Sequence, residues 1–282
     1  MAGAGLLPRH CEEGLPGLAG VAAGTRVKRL PLLKRPYFAR RILEIGPGHN
    51  PFKGVTHLLE MDVHEGRERG GNALFVPKAA KLIVGEATEL PFGPGSFDYV
   101  YASHVLEHVE RPERACREIM RVGRAGYIET PSPFLEQGMA LRDETSPEHW
   151  FHRWFVFSTW QDRLVFEPKT PGQVGWFCSC EDGQFLREFY GSLDFREAQH
   201  CFRRKAKTTT FYWTGSFSAE VRQTGLDCRQ SGRSCRFAGM REALVESCQD
   251  VFRSHRVLRL KKKFPGCRAV FRKYGHATML IG

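Results

Sequence analysis

From Arg41 to Pro131 short apolar runs alternate with glycine-rich and acidic turns. Arg41-Ile42-Leu43-Glu44-Ile45 has the length and near-continuous apolarity of a buried strand. Gly46-Pro47-Gly48 follows, and then His57-Leu58-Leu59-Glu60-Met61-Asp62, a second strand that ends in an acid. Lys81-Leu82-Ile83-Val84 predicts a third, leading into the acidic loop Glu86-Ala87-Thr88-Glu89. Ser96 to Val109 reads as a strand running into a helix, which closes on Arg117 to Val122 with Pro112 in its first turn after a cap near Arg111. Ala125 to Pro131 is the next strand. Strands alternating with helices argue for a parallel sheet covered on both faces. The interval from Gly48 to Asp62 is too short for a full crossover helix, and His49-Asn50-Pro51-Phe52 reads as a loop or turn.

Past Thr130-Pro131-Ser132-Pro133 the periodicity breaks. Phe134 to Phe157 reads as loop, rich in His, Trp and Phe. Arg163 to Phe166 and Thr209 to Trp213 read as strands. Met240, Leu244, Val251, His255 and Leu258 stand at roughly helical spacing, which predicts an amphipathic helix over 238–262.

The chemistry gathers around the first turn. Glycines there let the backbone turn sharply and approach a ligand closely, and an acid ending the next strand suits a ribose diol. In order, Leu-Glu-Ile-Gly-Pro-Gly, the acid at Asp62, Gly-Glu-Ala-Thr-Glu-Leu-Pro-Phe, Ser-Phe-Asp-Tyr-Val and His-Val-Leu-Glu-His-Val resemble class I S-adenosylmethionine (SAM)-dependent methyltransferases, nearest the methyltransferase-11-like group. The resemblance covers roughly residues 40–131. It implies a doubly wound, mostly parallel seven-stranded α/β sheet of Rossmann-like type with a C-terminal extension. It implies SAM as cofactor and an acceptor of unidentified chemistry. Glu44, Gly46 and Gly48 would face the methionine end of SAM, Asp62 the ribose, Glu86 and Ala87 the adenine, and Ser103 and His104 the transferable methyl. His104 and His108 would stand at the mouth of the cleft, as candidate bases for an acceptor that must lose a proton. The Asn-Pro-Pro-Tyr type motif of amino-methylating enzymes is absent after the fourth strand, where Ala102-Ser103-His104-Val105 stands, which argues against an exocyclic adenine or a glutamine amide as acceptor.

Other chemistries fit less well. A nicotinamide-dependent oxidoreductase wants a third glycine where Pro51 stands. His104-Val105-Leu106-Glu107-His108 matches the inverted zinc-peptidase motif, but it follows a buried strand in a cofactor-binding pattern. Cys178, Cys180, Cys228 and Cys235 lack the two-residue spacing of a zinc knuckle, so no metal is expected. Glu148 to Phe155 is aromatic and basic just beyond the fifth strand, where a loop would lie over the reacting centre; its His149 and His152 join the candidates, His149 as a third catalytic residue.

Composition sets the wider frame. The 282 residues carry a net charge of +11, and the excess lies at one end. From Arg196 onward 19 Lys and Arg face 6 Asp and Glu, whereas the remainder holds 23 basic and 25 acidic residues. A basic last third suits a nucleic acid or another anionic partner, or is a solvated face. A non-catalytic module of the same fold, docking RNA or another anionic partner through that end, is the alternative to an enzyme. Nine scattered cysteines suit a reducing, cytoplasmic setting, and no apolar run is long enough to span a membrane. The expected organisation is a poorly ordered lead over 1–35, a SAM-binding core over 36–133, and residues 134–282 supplying remaining strands, an aromatic lid-like insertion and the basic extension.

Overall fold

The structure, a computed structural model, describes residues 39–64, 69, 71–141, 151–159, 163–192, 204–222 and 235–244. The expected lead over 1–35, His149 and Cys228 lie outside them, as does most of the helix expected over 238–262.

Four parallel strands open the chain: β1 (Ile42–Ile45), β2 (His57–Glu60), β3 (Lys81–Val84) and β4 (Tyr99–Ser103). Helix α1 (Pro112–Val122) carries it to β5 (Ala125–Pro131), then α2 (Pro133–Ala140). An antiparallel pair follows, β6 (Trp154–Thr159) and β7 (Arg163–Pro168). Then come α3 (Pro171–Val174), α4 (Glu181–Ser192), α5 (Arg204–Lys207), β8 (Thr208–Thr214) and β9 (Ser218–Val221), and residues 240–244 are helical, the beginning of the helix expected over 238–262.

The main sheet has the order β3-β2-β1-β4-β5-β8, parallel except where β8 runs against β5. The reversal of order between β1 and β4 makes their carboxyl ends the switch point, where open α/β sheets bind ligands. The doubly wound α/β expectation holds, with six strands in this sheet among the described residues rather than seven. No helix lies between Gly46 and Thr56, in keeping with the short interval in the sequence.

Alternation along the strands divides the core in two. Leu43, Ile45, Val100, Ala102 and Ile128 pack against Cys116, Ile119 and Val122 of α1, whose buried positions recur at helical spacing. Val156, Leu164 and Phe166 bring the small sheet β6-β7-β9 onto the same face. On the other face Ile42, Leu58, Tyr99, Tyr101 and Tyr127 are covered by Phe52 and Val55, so the segment after the glycine turn does the work of a helix. Phe52 stacks on Tyr101 and Tyr101 on Tyr127.

Two sequence expectations change. Phe134 to Phe157 is not all loop, since it holds α2 and the start of β6. His104 to His108 is a turn, not the start of a helix: the strand ends at Ser103, His104 takes φ of 59°, and α1 begins only at Pro112.

Part of the basic excess in the last third is internal. Arg236 is buried, donating to the backbone carbonyls of Gln173 and Trp176 at 2.7 and 2.9 Å and to Glu167 and Gln137 at 3.4 and 3.3 Å. Its guanidinium lies 4.3 Å from the Phe155 ring centre. Burial pushes the Glu167 carboxyl up from its usual range, against the pull of Arg236 and Arg222. Arg236→Ala removes the cation and leaves those acceptors dry. It is expected to lower unfolding free energy by about 3–5 kcal/mol, read by urea denaturation; a loss near zero would mean the segment 235–244 adds nothing to the fold.

Candidate functional site

Gly46 and Gly48 both adopt left-handed backbone, with φ of 62° and 59°. A Cβ on Gly46 would stand 2.6 Å from Cγ2 of Val105, so the turn after β1 touches the turn after β4 with no room for a side chain. Glu44 fixes the base of this turn, its buried carboxylate accepting from the Phe52 amide at 2.6 Å. The Gly46 amide donates to Leu59 and the Phe75 amide to the Gly48 carbonyl.

The acids at the end of β2 stand apart from each other. Asp62 is exposed; its carboxylate accepts from the His64 amide at 2.8 Å and its carbonyl from Arg69. Glu60, the last residue of β2, lies against the glycine turn: burial pushes its carboxyl up, against the pull of Arg69 and the amides of Met61, Gly48 and Asp62. Sequence reasoning singled out Asp62 and passed over Glu60, although both stand in the run Leu59 to Asp62. Beside them Met61 and Val84 are 60% and 55% exposed, unusual for large apolar side chains at the ends of sheet strands. Past β3, Glu86 is exposed and accepts from the Thr88 hydroxyl, and Ala87 is half-buried beside it. Helix α1 holds this loop: Glu118 accepts from the Leu90 amide at 2.8 Å, and Arg121 donates to the carbonyls of Leu90 and Phe92.

Ser103 ends β4 and His104 follows in the left-handed region, the one non-glycine there among the described residues. Such backbone in a side-chain-bearing residue is strained and gathers at functional sites. The His104 ring is 46% exposed, with Nδ1 3.3 Å from Oε1 of Glu107 and Nε2 3.9 Å from Oε1 of Glu129. Glu129 comes up from β5 and accepts the Tyr127 phenol hydrogen. Glu129 did not stand among the sequence candidates, and Glu107 entered only through the zinc-peptidase match that was set aside. Glu129 interrupts the apolar run Tyr127-Ile128, which is the signal that marks it.

His108 packs edge-on to His152, with ring centres 4.6 Å apart. His152 precedes β6, and the Arg153 amide donates to the Glu107 carbonyl at 2.7 Å, tying the two segments together. Nδ1 of His152 lies 2.5 Å from Glu136 on α2, whose other oxygen meets the Lys169 ammonium. Burial alone would push the Glu136 carboxyl up, but His152 and Lys169 outweigh it and hold it below the usual range. For His152 burial opposes the charged ring, yet Glu136 and then Glu107 raise its pKa.

A second cluster lies outside this edge. Cys178, Cys180 and Cys235 place their sulfurs within 4.8 Å of one another, with 3.4 Å between Cys180 and Cys235. Their spacing in the sequence gave no reason to expect this.

Residues 52–128 match the family model of the methyltransferase domain. This stretch of the chain is similar to class I SAM-dependent methyltransferase domains. Demethylmenaquinone methyltransferase of Clavibacter sepedonicus is 28% identical over 119 residues, 38% of this chain and 49% of that protein. The ubiquinone/menaquinone biosynthesis C-methyltransferase UbiE of Roseobacter denitrificans is 29% identical over 143 residues, 48% of this chain and 50% of that protein. The chain thus spans about half the length of these relatives, and less of others. Among solved structures, an S-adenosylmethionine-dependent methyltransferase from Mesorhizobium loti is 22% identical over 34% of this chain and 49% of its own, with a TM-score of 0.27.

The residues present fit the cofactor of this domain class. The glycine turn is a cradle that a Cβ would fill, carboxylates stand at the end of β2, and exposed apolar side chains flank them. Gly46→Ala is expected to destabilise the domain by about 1–2 kcal/mol, the strain of a left-handed alanine, and to weaken SAM binding roughly tenfold or more, equivalent to about 1.4 kcal/mol. Denaturation and calorimetry read the two effects separately; an alanine tolerated in both would mean the turn need not be this tight.

Proposed function

We propose that the protein is a SAM-dependent methyltransferase whose acceptor lies against His104, with the SAM-binding core over 36–133. The observation that carries this reading is the left-handed glycine turn at the switch point, in contact with the His104 turn. Glu44, Gly46 and Gly48 would hold the methionine end of the cofactor, Asp62 or Glu60 the ribose, Met61 and Val84 the adenine face, and Glu86 and Ala87 its edge. When bound, SAM supplies a methyl group on a positive sulfur, which an acceptor lone pair takes as the carbon–sulfur bond pair returns to sulfur. The protein's own part is alignment, exclusion of water and removal of the acceptor's proton. We assign the proton removal to His104. It follows β4 directly, its ring reaches solvent, and Glu107 and Glu129 lie beside its two ring nitrogens at 3.3 and 3.9 Å. His108 and His152 lie deeper and pack on each other, so they are poorer candidates for the base.

Calorimetry with SAM, and detection of S-adenosylhomocysteine after incubation with cell extract, test the reading together. Asp62→Ala is expected to weaken SAM binding by about 1.5–3 kcal/mol, the range for hydrogen bonds to a charged group. Unchanged affinity in that variant with a loss in Glu60→Gln would move the ribose role to Glu60. His104→Ala is expected to keep SAM affinity and slow turnover about a hundredfold to ten-thousandfold. Equal turnover in the folded variant would remove His104 from the chemistry.

A further inference from the structure

We infer that Glu107, His108 and His152 form a binding site for one divalent metal ion of the zinc class, with a position left open toward the acceptor. One ligand atom from each lies within 4.8 Å of the others. Two imidazoles and one carboxylate are a donor set of open zinc sites, which keep a coordination position for water or substrate.

Three further observations bear on it. Glu107 is fully buried, and neither carboxylate oxygen has a hydrogen-bond partner among the described residues, although His104 approaches one of them. A buried carboxylate left so is costly, and an ion supplies what it lacks. His152 is held by a carboxylate on one ring nitrogen: Glu136 takes Nδ1, Lys169 takes the other oxygen of Glu136, and Nε2 would be the nitrogen offered to an ion. Ligating histidines are held by a carboxylate on their second nitrogen in this way. The Arg153–Glu107 backbone bond brings the two ligand-bearing segments together across a long stretch of sequence.

The site departs from the zinc-peptidase pattern that the sequence contains. His104 and His108 do not lie one turn apart on a helix, because His104 is left-handed and its ring faces Glu107 and Glu129 instead. His152 takes the place that motif gives to His104.

The location names a substrate class, and this step rests on the methyltransferase reading. An ion beside His104 would hold an acceptor through a hydroxyl oxygen and lower that oxygen's pKa. The proton would pass from the hydroxyl to the His104 ring, leaving the oxygen on the ion. The ion keeps its oxidation state. The acceptor is therefore a hydroxylated compound, such as a phenol or an enol.

The test uses the full chain, stripped with a chelator and reloaded with zinc or cobalt(II). One ion per chain is expected. Glu107→Gln and His152→Ala should abolish its binding, and Glu136→Gln should weaken it about tenfold to hundredfold through the orientation of His152. Cys180→Ser should retain it. The cobalt protein should lack an intense thiolate charge-transfer band, and catechol should shift its visible bands by entering the open position. Folded, stripped protein that takes up no ion would overturn the site. So would uptake lost in Cys180→Ser but kept in Glu107→Gln, or a thiolate band in the wild-type spectrum, which also decides the matter if the variants do not fold. A loaded site blind to catechol would overturn the hydroxyl acceptor. SAM affinity measured on the same preparation tests the cofactor reading by itself, so the two can fail separately.

Discussion

The carboxyl edge of the main sheet depends on how closely two turns pass each other, the one after β1 at Gly46 and the one after β4 at Val105. Their separation admits no Cβ. Because β1 and β4 are in register from Ile42 with Tyr99 to Ile45 with Ala102, the contact is set by the ladder and not by loop flexibility. It also couples two chemistries. The turn that would hold the cofactor touches the one that carries His104, and Glu107 lies three residues further along. A shift in either turn would move the proposed methyl donor relative to the acceptor side, and orientation of reactants contributes strongly to such a transfer.

Much of the sheet was legible because each strand is a short apolar run bounded by glycine, proline or acid. Ile42 to Ile45 is buried along its whole length, so its pattern could not mislead. The missing helix after β1 was also legible, since the interval to Asp62 has no room for one. Helix α2 was hidden for a physical reason: its buried residues include Glu136 and Gln137 beside Phe134 and Ala140, so no apolar stripe at helical spacing announces it. Strand β6 was lost in an aromatic stretch because Phe155, Val156 and Phe157 are all buried, which removes the alternation that marks a strand.

The site was legible where one segment suffices and obscure where distant segments meet. Glu44, Gly46 and Gly48 share a turn, and their roles follow from order alone. Asp62 is exposed while Glu60 lies against the glycines, a difference no spacing rule contains. The spacing of His104, Glu107 and His108 is what a helical metal motif would have, yet a left-handed His104 sends its ring elsewhere. The basic last third was read as a surface property, but Arg236 and Arg222 turn inward to Glu167. Charge counted along a sequence does not distinguish a solvated cation from one that holds a segment in place.

Beyond the strand ends, β4 and β5 deliver carboxylates into a region where burial penalises them. Glu136 is accounted for by a lysine and a histidine, and its carboxyl is held low. Glu129 has the Tyr127 hydroxyl and lies near His104. Glu107 has the deeper burial and the weaker accommodation, with the His104 ring at 3.3 Å outside hydrogen-bonding geometry. A core designed only for stability would place an apolar side chain there, since replacing buried ions by packed hydrophobic groups is often neutral or favourable. The position between His104 and His152 instead holds a carboxyl group beside the ring proposed to take the acceptor's proton. A group so placed could serve either the His104 ring or a metal ion, the two to which the proton or the oxygen of the proposed acceptor would pass.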